Sequence, residues 1–247
     1  MIAGGVSFSS GILLFTDTEP IVPRRIPHQS RSIFHSEFHS HLGSAHSIFV
    51  IGESVDWEPA AFQRCEHALD GVPSAERTIE RMRETIEQSL SDDNHDQRDR
   101  HPAGRERVFI VALYSSCQGR YSLFRAINTT LREVVGYDCQ GTGAYLGHYL
   151  IRDRYIAARS LNELNLTTVF SIAVDALAGI REAHEECGAS NEMIVVYANG
   201  RVSAVQLMPQ DSPRHRAVTL TRLTGYRRTP TSDTRAIIPN PAFDHDV

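Results

Sequence analysis

The sequence predicts an α+β protein in which two antiparallel sheets pack face to face with helices on their outer sides, a four-layer αββα sandwich. Three observations lead there. Strand-like and helix-like stretches come in blocks: two hairpins, two helices, more strands, two helices and a last hairpin. The strand segments are neighbours joined by short turns rich in Gly, Ser and Asn, as antiparallel pairing requires. The main helical segments each carry one apolar stripe, so each has one face to bury and another to leave in water.

Taken in order, Ile2 to Phe8 reads as a strand, Ser9-Ser10-Gly11 as a tight turn and Ile12 to Thr16 as the hairpin partner. Three prolines, at 20, 23 and 27, make the next stretch irregular. SIFHSEFHSHL then alternates, with Phe34, Ser36, Phe38, Ser40 and Leu42 on one side and His35, Glu37, His39 and His41 on the other. Ser47 to Ile51 is its partner, ending at Gly52. A helix begins near Pro59 and stops at Gly71. The next, SAERTIERMRETIEQSL, buries Ile79, Met82, Ile86 and Leu90 and carries Glu–Arg pairs elsewhere.

Residues 91–107 read as a polar loop. Strands follow at Val108 to Tyr114 and Tyr121 to Ile127, then YDCQG turns through Gly141-Thr142-Gly143 into a helix. Leu166 to Cys187 is a further helix with Val169, Ile172, Ala173, Ala176 and Ile180 inward, and Gly188 suits its end. EMIVVYANGRVSAVQL is a hairpin through Asn199-Gly200. The domain is expected to span 1–207, with 208–247 an extended or partly disordered C-terminal extension rich in Pro, Thr and Arg.

Composition narrows the function. The 247 residues, 41% hydrophobic and 22% charged, suffice for one large domain with a real core. A net charge of -5 disfavours a nucleic-acid partner. No apolar run approaches the roughly 18 residues of a membrane helix, and the start lacks a basic region and a cleavage site, so a cytoplasmic protein is expected. Cys65, Cys117, Cys139 and Cys187 form no C-x-x-C pair and read as reduced structural thiols. All 25 basic residues are arginine, which closes any mechanism that needs a lysine amine within this sequence.

Four segments resemble the proteasome β-type subunits and the related bacterial N-terminal-nucleophile hydrolases: AGGVSFSSGILLFTDTE, SIFVIGESVDW, YDCQGTGAYLGHYLI and MIVVYANGRV. Together they span roughly residues 1 to 205. The resemblance implies an attacking residue at the strand tip, activated by its own α-amine, with a lysine and an aspartate tuning the site and backbone N–H groups holding the oxyanion. Carried across, the nucleophile's place falls on Met1, the lysine's near Ser32, the aspartate's on Asp17, an oxyanion glycine on Gly52, and the serine of the glycine-rich turn on Thr142. The acidic and serine positions before the late hairpin fall near His184 and Cys187. Neither Met1 nor Ile2 has a hydroxyl or thiol, and no lysine is present.

The expected protein is therefore one of this fold that is not an active threonine protease. It self-associates into rings or other homo-oligomers, or joins related proteasome-like subunits, and acts in assembly, regulation or the binding of a peptide or protein. The alternatives are a hydrolase of altered mechanism, metal-assisted through His35, Glu37, His39 and His41, and a subunit whose mature N-terminus differs. Residues two apart on one strand face lie about 7 Å apart, close enough for two histidines and a glutamate to share zinc or iron. A plain polar strand face is preferred, so no cofactor is expected.

Overall fold

The computed structural model describes residues 2–18, 33–39, 45–52, 58–69, 77–97, 108–141, 143–184, 190–207 and 218–222. In chain order these form β1 (Ile2–Phe8), β2 (Gly11–Thr18), β3 (Ile33–His39), β4 (Ala45–Gly52), α1 (Glu58–Leu69), α2 (Thr78–Gln97), β5 (Val108–Ser115) and β6 (Arg120–Ile127). The second half adds β7 (Thr130–Val134), β8 (Tyr137–Gly141), α3 (Ala144–Ser160), α4 (Leu166–Ala183), β9 (Ser190–Tyr197), β10 (Val202–Leu207) and β11 (Val218–Arg222).

The strands make two antiparallel sheets, one ordered β11-β10-β9-β2-β1-β8 and the other β3-β4-β5-β6-β7. Alternation along each strand sends successive side chains to opposite faces, and three apolar clusters follow from it. Ile48, Val50, Phe109, Val111 and Leu113 meet α1 and α2 through Cys65, Ile79, Met82, Ile86 and Leu90. Ile12, Leu14, Phe49, Ile51, Ile110, Ala112 and Ile194 fill the space between the sheets. Ile2, Val6, Phe8, Leu13, Phe15, Met193 and Val195 meet α3 and α4 through Ile151, Tyr155, Val169, Ile172 and Ile180. This is the four-layer αββα sandwich expected from the block order. The central strands β1, β2, β4, β5 and β9 are covered on both faces, which explains why they read as nearly continuous apolar runs.

The local chemistry that ends each element is visible. Asn165 caps α4, its Oδ1 accepting the Thr168 N–H at 3.0 Å. At the β9–β10 turn only Gly200 is left-handed (φ 79), and Asn199 Oδ1 accepts the Arg201 N–H at 3.0 Å. The Asn-Gly pair thus closes a three-residue loop ending in a left-handed glycine instead of a two-residue turn.

The elements differ from the sequence reading in places: α4 ends at Ala183 and not at Cys187, because His184 is already extended (φ -136, ψ 107), β7 was not expected, and α2 runs longer. Helix α2 continues to Gln97, through the first part of the stretch read as the polar loop 91–107. No Gly or Pro interrupts it before Pro102, and Asp92 secures the added turn by accepting from Gln88 Nε2 at 2.9 Å and pairing with Arg64 on α1. β11 pairs with β10 along Val218–Arg222, inside the stretch 208–247.

Candidate functional site

The position that the resemblance implicates is the start of β1, and the structure shows how it is held. β1 lies between β2 and β8, with Ile2 opposite Gly141 on one side and Ala3 opposite Thr16 on the other. The Ile2 backbone N–H donates to the Asp17 carboxylate, and Thr16 Oγ1 donates to the Ile2 carbonyl at 2.7 Å. Asp17 is only 1% exposed. A carboxylate accepting a buried amide forms one of the stronger hydrogen bonds available to a backbone. Two β2 side chains therefore grip both polar groups of one β1 residue, and the strand tip cannot fray as free chain ends do. The Ile2 side chain is sealed in the core beneath α3 and α4.

Gly52 ends β4 opposite Phe109, in the five-stranded sheet. Met1, Ser32 and Thr142 lie outside the described residues. The glycines flanking 142 are both left-handed, Gly141 at φ 96 and Gly143 at φ 78. A Cβ on Gly143 would stand 2.8 Å from Ile180 Cγ2 and 2.9 Å from His184 Cδ2, so this turn needs glycine both for its backbone and for its packing. His184 itself meets Tyr145, whose Oη lies 3.1 Å from Nε2. Cys187 is outside the described residues.

Of the candidate metal ligands, His35, Glu37 and His39 are on β3, in register with Phe49, Ser47 and Ala45 of β4. Their side chains, and all of His41, lie outside the described residues. Among the described residues no three His, Cys, Asp or Glu side chains converge as a metal would need. Cys65 is sealed under α2, and burial pushes its thiol up to about 12, which leaves it inert as a nucleophile.

A cluster that sequence reasoning missed centres on Asp138 of β8, which is 3% exposed. Its carboxylate accepts from Gln140 Nε2 at 2.9 Å and from Arg125 Nη2 of β6 at 3.1 Å. Arg125 Nε stands 2.8 Å away and His148 Nε2 of α3 3.0 Å away. Burial pushes the Asp138 carboxyl up, but the hydrogen bonds from His148 and Gln140 and the Arg125 charge outweigh it and hold it below the ordinary carboxylate range. An ionised Asp138 only accepts, which assigns the proton on His148 to Nε2. Arg125 on the five-stranded sheet, Asp138 on the six-stranded sheet and His148 on the helix above are thereby pinned together. The signal in the sequence was a charged residue inside each of two strand segments, YDCQG and YSLFRAI.

No protein-family model and no curated protein matches the sequence. Solved structures do match in fold. Anbu (ancestral beta-subunit) from Yersinia bercovieri is 13% identical, with a TM-score of 0.53 over 80% of this chain and 81% of that one. Anbu from Hyphomicrobium sp. strain MC1 is 12% identical, with a TM-score of 0.59 over 86% and 89%. A helical assembly of the Anbu complex from Pseudomonas aeruginosa is 10% identical, with a TM-score of 0.58 over 86% and 88%. The sequence motifs point to proteasome β-type subunits, and that assignment is corrected: the structures matched are Anbu proteins. The physical reason lies in what the motifs encode. The glycine of the opening hairpin that lies under the Phe15 ring and the glycine turn against Ile180 are demands of the sandwich backbone, so they mark the fold and not a branch within it. At these identities the likeness establishes that the chain has the proteasome-like N-terminal-nucleophile sandwich fold.

Proposed function

We propose that this chain is a non-catalytic, self-associating subunit built on the N-terminal-nucleophile fold. One observation carries the reading: the residue whose amide Asp17 holds is Ile2, an aliphatic side chain buried in the core. Ala3, Gly4 and Gly5 follow it, so the strand tip beside the carboxylate offers no hydroxyl or thiol. Asp17 binds backbone where the resemblance would have it tune a lysine, and the sequence contains no lysine. A panel of fluorogenic peptides with acidic, basic and apolar ends is expected to show no turnover above buffer. Turnover that survives chelation and is lost on replacing Asp17 by Asn would overturn the reading.

Self-association is supported by the outer face of α3. Tyr145, Tyr149 and Ile156 are 71%, 66% and 50% exposed there, with Arg152 and Asp153 between them. Related by a two-fold axis through the middle of the helix, an antiparallel copy sets Tyr149 on Ile156 and Arg152 on Asp153, a self-complementary order. The Pseudomonas aeruginosa Anbu is itself described as a helical assembly, which is consistent with such a surface. Native mass spectrometry is expected to show dimers or larger species. Ile156→Arg should weaken association by roughly 2 kcal/mol, about thirtyfold, because it buries an unpaired charge twice per interface. A wild-type protein that stays monomeric at about 50 μM, well above a micromolar dissociation constant, would contradict it.

A further inference from the structure

At the end of the sandwich opposite the start of β1, a cleft of about 170 Å³ opens between the ends of β4 and β5 and the β9–β10 turn. Its walls are Ala45 and Ser47 of β4, Tyr114 of β5, Ser116 just beyond it, and Asn199 and Gly200 of the turn. Alternation along β4 sends Ser47 to the face of Phe49, between the sheets, and the neighbouring His46 to the face of Ile48. No Asp, Glu or Arg is among the described residues that line the cleft. Tyr114 and Ser47 stand opposite each other in register and are each 4% exposed. Neither hydroxyl has a hydrogen-bond partner among the described residues, and neither is sealed from solvent, so a molecule in the cleft reaches both. The Tyr114 ring lies along Gly200, where a Cβ would stand 2.8 Å from Cε1 and 3.0 Å from Oη. Glycine at 200 therefore keeps the phenol tip open to the cleft.

The other two polar walls already use an acceptor on the backbone. Ser116 Oγ takes the Ala45 N–H at 2.8 Å, and Asn199 Oδ1 takes the Arg201 N–H at 3.0 Å. What they have left to offer is a donor, the Ser116 O–H and the Asn199 Nδ2 amide. Burial, with Cys117 nearby, pushes the Tyr114 phenol up, so at neutral pH it is protonated and both donates and accepts. An apolar ligand would strip water from two hydroxyls and return no hydrogen bond, and an ion would meet no opposite charge. The fit is a neutral group that carries both an acceptor and donors. We propose that this cleft binds a small primary carboxamide, its carbonyl oxygen on Ser116 and Asn199 and its NH2 on the hydroxyl oxygens of Tyr114 and Ser47. A planar amide has little rotational freedom to lose, whereas a polyol of equal size must freeze several bonds. The volume suits a benzene-sized body, about six heavy atoms.

The test uses the full chain with alanine methyl labels and propionamide as the probe, followed through the Ala45 methyl resonance. A saturable shift in the millimolar range is expected. Tyr114→Phe removes a hydroxyl that bonds to nothing in the fold, so it should keep the wild-type urea midpoint and weaken binding about fivefold or more. Butanone keeps the carbonyl but has no N–H, and glycerol offers hydroxyls alone. Both are expected to bind at least about tenfold more weakly than propionamide. A shift that butanone or glycerol reproduces at the same concentrations, a shift that Tyr114→Phe retains in full, or no saturation up to about 100 mM would each overturn the proposal. The butanone and glycerol comparisons are made on the wild-type protein and do not depend on the variant folding. Peptide turnover and assembly are read separately, so this site and the proposed function stand or fall independently.

Discussion

Gly4→Ala is expected to destabilise the protein by roughly 3 kcal/mol, through overpacking in a core that has no room to give. An ideal Cβ on Gly4 would stand 2.0 Å from Phe15 Cζ and within 2.6 Å of both Cε atoms. Phe15 is fully buried between β1 and the α3–α4 layer, among Leu13, Val169, Ile172 and Met193, so its ring cannot swing clear. The glycine is thus a packing requirement: an aromatic ring from the neighbouring strand occupies the space where a side chain would be. Phe15→Leu alone should cost about 1–2 kcal/mol as a large-to-small change. The double variant should lose less than the sum of the two by about 1 kcal/mol or more, because the smaller side chain frees space for the new methyl group. Urea unfolding of the four proteins gives the cycle, and strict additivity would remove the clash as the cause.

Asp138→Ala is expected to cost roughly 3 kcal/mol at pH 7. That is the low end for breaking a buried ion pair, because Arg125 and His148 both reach solvent and keep part of their hydration. The pH dependence has a definite sign. The folded Asp138 carboxyl lies below its ordinary value of 3.8, so its contribution is fully present above that value. It is lost as pH falls through the lower, folded value, where the native state finally takes up the proton. The gap between wild type and Asp138→Ala should therefore be widest near neutrality and shrink in acid below about pH 4. Urea midpoints for both proteins at pH 7 and pH 3 measure it. A gap that widens in acid would mean that Asp138 stabilises the fold in its protonated form.

Much of the sandwich was legible because its determinants are short-range. Ile2 to Phe8, its Ser-Ser-Gly turn, and the stripe on Ile79, Met82, Ile86 and Leu90 announce themselves by period, and all four stripe residues are buried. The end of α2 was not legible: SDDNHDQ looks like a solvated loop, and what extends the helix includes a contact with Arg64 of α1, 28 residues away. The Asp138 cluster stayed hidden for a similar reason. Arg125, Asp138 and His148 come from two strands and a helix that only the packed layers bring together, and no spacing rule foretells that. Asp17 was named through the resemblance, and the bond it makes to the Ile2 main-chain amide was not legible, because a backbone donor carries no residue signature.

The central proposal is that the start of β1 is a clamped end of an interior strand and not a reactive terminus. Intact-mass spectrometry after prolonged incubation with an epoxyketone or β-lactone directed at N-terminal nucleophiles tests it most directly. The expected result is an unshifted mass, with the peptide covering the start of β1 recovered unmodified on digestion. A stoichiometric adduct mapped to residues 1–5 would contradict it.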